Sequence, residues 1–148
     1  MVKEYDILPL MIRDHCKIEN LLDKLEESTQ VDFEEMKKAF YKLEWNLEKH
    51  VFLEEKVVFT MYSPDEVSEG YKMLPKLTEQ HNYILNTLKN WRNEIRHKRI
   101  LKEIYKFKEY LVKHKEFEEM EFYPKLDENL KLDQKILMHD RLTEIILS

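Results

Sequence analysis

The chain has 148 residues, 43% of them hydrophobic, which suits one domain with a buried core and leaves little room for a second. A formal net charge of −5 argues against a nucleic-acid or anionic-membrane partner, because either would require an excess of Lys and Arg on one face. The single cysteine, Cys16, excludes an internal disulfide and a Cys-rich metal site; it reads as an ordinary buried or half-buried thiol.

One glycine and four prolines leave few chain breakers, and Leu, Glu, Lys and Ile recur at helical spacing, so the expected fold is all-α. Helix A is predicted from about Leu8 to Glu27, with Leu8, Met11, His15, Ile18, Leu22 and Leu25 on one stripe. Helix B follows from Asp32, an N-cap, to Tyr62, and carries Phe40, Leu43, Leu47, His50, Glu54, Val57 and Met61 on its stripe. The segment from Ser63 to Gly70 holds a proline and the glycine and is predicted as the main loop. Helix C starts near Tyr71 or Pro75 and runs to His97 through Leu77, His81, Ile84, Leu88 and Trp91. Helix D, about Arg99 to Tyr123, reads Ile104, Phe107, Leu111, His114, Glu118 and Phe122, and Pro124 is expected to end it. A short fifth helix spans about Asp133 to Leu147.

The two halves of the chain repeat. RDHCKIENLL and EQHNYILNTL share His, Ile at +3 and Leu at +7, while HVFLEEKVVF and HKEFEEMEFY share His, Glu-Glu at +4 and +5 and an aromatic at +9. Two helical hairpins, about 5–62 and 71–124, are therefore expected to pack as an antiparallel up-down four-helix bundle with pseudo-twofold symmetry.

Four helices thus each place one histidine where an apolar side chain is due, and two of them add a glutamate four residues on, on the same face. Burying Glu54 and Glu118 among Leu, Val and Phe is strongly unfavourable unless a cation compensates, and no Lys or Arg occupies the matching stripe positions. Bound metal supplies that charge. Imidazoles from His15, His50, His81 and His114, with the two carboxylates shared between two ions, suit iron, or less well manganese, better than tetrahedral zinc. Each ion would keep one exchangeable position for water, oxo or a diatomic ligand. The alternative Glu-x-x-His di-iron pattern occurs only at Glu94-Ile95-Arg96-His97, in a basic run that reads as a solvated helix end, and no zincin motif, phosphate loop or nucleophilic triad stands out. His97 and His139 fall outside the repeat and read as structural, and Trp45, Tyr83 and Trp91 are candidates for packing around the pocket.

The order His, His-x-x-x-Glu, His, His-x-x-x-Glu, with Glu-Glu doublets followed by aromatics and Pro124, resembles the hemerythrin-like (HHE cation-binding) family over nearly the whole chain. The resemblance implies a non-haem di-iron centre, oxo- or hydroxo-bridged, in a four-helix bundle, with His15, His50, Glu54, His81, His114 and Glu118 as ligands and Glu55 and Glu119 beside them or on the surface. Oxygen-carrying members have a further histidine where this chain has Leu85 and an aspartate where it has Glu119. That difference points away from reversible transport and toward the branch linked to iron homeostasis, O2 or NO sensing and iron–sulfur repair. Repair proteins carry an extra Cys-containing N-terminal domain, whereas this chain begins at helix A. With no leader or membrane-length apolar run, a cytoplasmic location is expected. The leading expectation is a binding protein for O2, NO or a related small ligand, served by an unspecified redox partner. The alternative is a di-iron oxidoreductase that turns over peroxide, oxidises Fe(II) or delivers iron, and the third is a metal-free helical interaction module.

Overall fold

A computed structural model describes residues 4–62 and 69–147, and among these residues every regular element is helical. The four long helices are α1 (Ile7–Ser28), α2 (Phe33–Leu53), α3 (Leu74–Arg96) and α4 (Ile104–Phe117), followed by α5 (Tyr123–Asn129) and α6 (Leu132–Leu147). The chain is a helical bundle. Most of the predicted loop, residues 63–68, lies outside the described residues, while Glu69 and Gly70 belong to a single turn, Glu69–Lys72, ahead of α3.

The helix ends show why the boundaries fall where they do. Asp32 caps α2 by accepting the Glu35 N–H at 2.8 Å, as its residue type promised. The start of α1 is capped from elsewhere: the Ile7 and Leu8 N–H groups donate to the Asp127 carboxylate at 2.8 and 3.0 Å, tying the first helix to α5. At the end of α3, Lys98 N–H bonds Ile95 O and Arg99 N–H bonds Glu94 O, both at 3.0 Å, with Lys98 at φ 55°. This is a Schellman cap in which lysine takes the left-handed position that usually falls to glycine. Glu103 is left-handed as well, at φ 59°. Helix α4 therefore begins at Ile104 and not near Arg99, because two backbone reversals separate it from α3.

Both glutamate-bearing helices change winding at the glutamate. The chain is π-helical over Glu54–Phe59 and again over Glu118–Phe122. Helices B and D are thus not the uninterrupted α-helices that the 3.6-residue period predicted. Pro124 does not end helix D either: it sits in the first turn of α5, where a missing N–H costs nothing.

The apolar core divides into two clusters. One gathers Ile18, Leu22, Leu25, Phe40, Leu43, Leu88, Trp91 and Phe107; the other gathers Ile7, Met11, Leu53, Phe59, Leu77, Phe122, Tyr123 and, from α6, Met138 and Leu142. Along each long helix a histidine lies between the members of the two clusters. That layer is the polar stratum of the bundle.

Candidate metal centre

All six expected residues are buried, with Glu54, His81 and Glu118 at 0% exposure, and they converge on one place. The imidazoles form two pairs, His15 with His50 at 4.9 Å between ring centres and His81 with His114 at 5.3 Å. The two carboxylates lie between the pairs. Glu54 Oε1 is 3.2 Å from His50 Nε2 and 3.0 Å from His81 Nε2; Glu118 Oε1 is 3.0 Å from His15 Nε2 and 3.4 Å from His114 Nε2. Each carboxylate therefore reaches one imidazole of both pairs. Donor atoms of Glu54, His81, His114 and Glu118 lie within 4.8 Å of one another, as do those of His15, His50 and Glu118. Neighbouring ligands of an ion with bonds of about 2.1 Å stand about 3 Å apart, so the spacing is that of a coordination shell.

Every inward-pointing Nε2 is aimed by a hydrogen bond at the far side of its ring. His15 Nδ1–H donates to Glu119 and His81 Nδ1–H to Glu55, each at 2.7 Å, while His50 and His114 donate to Asp14 and Gln80 Oε1, each at 2.5 Å. Such partners fix the tautomer and the ring plane of a ligating histidine. Glu55 and Glu119, expected beside the site or on the surface, thus each orient an imidazole from the opposite half of the chain. The Tyr123 hydroxyl donates to Glu54 Oε2, and Phe59, the matching aromatic nine residues after His50, stacks parallel to His81 at 5.7 Å.

Electrostatics in this layer are those of an anionic cavity. The ion pairs seen for Glu54 and Glu118 among the described residues are with histidines, with no Lys or Arg partner. Burial alone would lower the pKa of His15, His50 and His81, yet the surrounding carboxylates raise all three, His50 the most strongly through Glu54 and Asp14. Burial alone would raise Glu54, but the histidines, led by His50, hold it well below the usual carboxylate range. His114, whose partner Gln80 is neutral, is instead pushed down by burial. Three buried atoms, His50 Nε2, His114 Nε2 and Glu118 Oε2, have no hydrogen-bond partner. Buried polar atoms without partners are costly, and a cation between them would satisfy all three. The donor set therefore fits a metal.

Beside these nitrogens lies an apolar cavity of about 30 Å³, walled by Ile18, Leu47, Val51, Ile84 and Leu111 and touched by the His15, His50 and His114 rings. Lys115 and Glu19, an ion pair, also line it.

Several expectations are corrected. Cys16 is exposed, one position round α1 from His15 and so on its outer face. Trp45 and Tyr83 are 65% and 46% exposed, and Trp91 packs against Phe40 and Phe107 in the first apolar cluster. Helical spacing located these aromatics on a face without saying which neighbour that face meets. His97 closes α3 by donating from Nδ1 to Asn93 O at 2.8 Å, and His139 rests edge-on against Tyr5. Among the described residues neither joins a cluster of potential metal ligands. Asp14, Gln80 and Tyr123 were not singled out from the sequence. The repeat held the signal: a polar residue precedes the first histidine of each half, and an aromatic follows the second by nine.

Among the described residues no helix is long and apolar enough to cross a membrane. Comparison with curated proteins and with solved structures finds no match. The family model for the hemerythrin HHE cation binding domain matches residues 6–126, which takes in all six of the converging side chains. The chain belongs to the hemerythrin HHE cation-binding family.

Proposed function

We propose that this chain is a non-haem di-iron protein that takes O2, NO or a related small ligand, as a carrier, a sensor or a component of iron and redox homeostasis. His15 and His50 would hold one ion and His81 and His114 the other, with Glu54 and Glu118 placed to contribute to both. The observation that carries this reading is the pair of buried carboxylates set between two imidazole pairs, with His50 Nε2, His114 Nε2 and Glu118 Oε2 left without a hydrogen bond. Carboxylate and imidazole donors suit iron over a thiolate-preferring ion, and manganese follows. When bound, the metal pair supplies redox chemistry and ligand affinity; the protein excludes bulk water, orients four imidazoles and presents a small apolar cavity. A diatomic molecule fits such a cavity and a larger organic substrate does not.

The repeated contacts of the two halves support a single unit of two related hairpins in an antiparallel up-down bundle, with the ion pair on its pseudo-twofold axis. The composition supports a cytoplasmic protein without nucleic-acid or membrane partners. A second reading, a di-iron oxidoreductase, is favoured by Tyr123, whose phenol keeps a proton hydrogen-bonded to Glu54 inside the site, where turnover of peroxide or oxidation of Fe(II) needs one.

Metal analysis tests the proposal. Protein from iron-supplemented growth holds about two iron atoms per chain, and a value below about half an atom refutes it. His50→Ala and Glu118→Ala each abolish loading, whereas His139→Ala leaves it unchanged; retained loading in both of the first pair refutes the ligand set. A visible absorption band that returns on cycling between air and deoxygenation supports ligand carriage or sensing. Irreversible bleaching with consumption of peroxide supports the enzyme.

A further inference from the structure

Behind the four site imidazoles stand four acceptors, and only one of them is uncharged. Glu119, Asp14 and Glu55 are carboxylates behind His15, His50 and His81; Gln80 is an amide behind His114. Asp14 and Gln80 occupy matching places, each directly before the first histidine of its half and each reaching across to the second. Both bonds are 2.5 Å long, so the halves agree in geometry at this point and differ in charge.

Glu54, His81, His114 and Glu118 converge around one position and His15, His50 and Glu118 around the other, with Glu54 Oε1 also 3.2 Å from His50 Nε2. The His15–His50 position is the one whose imidazoles are both backed by carboxylates. A carboxylate accepting Nδ1–H draws the proton toward itself and makes Nε2 a stronger donor, an effect that an amide oxygen reproduces only weakly. Asp14 is 7% exposed, so its charge acts through little intervening water.

Building on the metal reading above, we propose that Asp14, set against Gln80, makes the two cation positions inequivalent, Asp14 being the positioning residue that strengthens His50 and with it the His15–His50 position. Asp14 touches His50 and is not itself a ligand. Exchange of the two partners would exchange the order in which the positions fill.

Anaerobic titration of the full chain with cobalt(II) against a competing chelator, followed by the visible bands of the bound ion, reads both positions without any turnover. Wild type binds in two resolved steps, and His15→Ala identifies the step that belongs to the His15–His50 position by removing it. Asp14→Asn keeps the shape and the hydrogen bond while deleting the charge; it weakens that step about 10–100-fold and leaves the other within about threefold. Gln80→Glu tightens the opposite step alone. Equal weakening of both steps in Asp14→Asn, or no weakening of either, overturns the inference. Should Asp14→Asn fail to fold, Gln80→Glu decides by itself, since an unchanged titration or a shift of both steps contradicts the claim. A wild-type chain that takes up neither cobalt nor iron overturns the metal reading beneath it, whereas two ions bound with no dependence on Asp14 or Gln80 overturn this inference alone.

Discussion

Tyr123→Phe isolates one contact in the polar layer. Tyr123 and Glu54 are both at 0% exposure, and the phenol donates to Glu54 Oε2 while Oε1 faces His50 and His81. Burial, reinforced by the Glu54 charge, raises the phenol well above its ordinary pKa of 10, so it stays protonated and donating throughout the neutral range. Replacing it with phenylalanine keeps the ring volume and the edge contact with Phe122 at 4.9 Å, and removes only the donor. A hydrogen bond to a charged group contributes about 1.5–3 kcal/mol, and its removal here leaves a buried carboxylate oxygen unpaired. At about 2–4 °C per kcal/mol for a chain of this size, chelator-treated Tyr123→Phe melts about 3–12 °C lower than wild type. The assay is thermal and urea unfolding followed by far-ultraviolet circular dichroism, with Tyr83→Phe, half-exposed, as a control that shifts by less than about 0.5 kcal/mol. A Tyr123→Phe protein as stable as the control refutes the idea that the phenol holds Glu54 in place.

Acidity gives a second test on chelator-treated protein. His15, His50 and His81 are raised above the ordinary 6.5, against His114 alone lowered, so their net contribution to stability is full below 6.5 and is lost as pH rises through the raised values. Asp14, Glu54 and Glu119 are held below their ordinary 3.8 to 4.5, so their contribution is present above that range and lost as pH falls below it through the lowered values. The urea midpoint should therefore peak in mildly acidic solution; one that climbs steadily from pH 6 to 9 contradicts this account. Lys98→Gly relieves a left-handed lysine and should stabilise by about 0.5–1 kcal/mol after the greater freedom of glycine in the unfolded chain is counted. A loss of stability in that variant would show that the Lys98 side chain matters more than its backbone strain.

The residues that converge were legible before the fold, because helical spacing is a local property. His15, His50, His81 and His114 interrupt apolar stripes, and a buried histidine or glutamate in such a stripe has to find a partner on another helix. The repeat then matched His15 with His81, each backed by a glutamate, and His50 with His114, backed by Asp14 and by Gln80. Periodicity was silent where it assumes uniform winding: it carried helices B and D as α-helix through Glu54 and Glu118, where both turn π-helical. It was silent, too, about which face of an aromatic side chain meets protein and which meets solvent, as Trp45 and Tyr83 show.

Composition and spacing by themselves determined an all-helical chain, the positions of its long helices and the four histidines and two glutamates turned toward its interior. Those features depend on 3.6 residues per turn and on the cost of exposing apolar surface, both of which act within one helix. Only the tertiary structure decided that Asp14, Glu55, Gln80 and Glu119 stand behind the imidazoles, that Tyr123 meets Glu54, and that Asp127 caps a helix from the far side of the chain. Hydrogen bonds between side chains of different helices depend on distances that sequence separation does not encode: Asp127 reaches Ile7 across 120 residues of chain because packing brings their helices together.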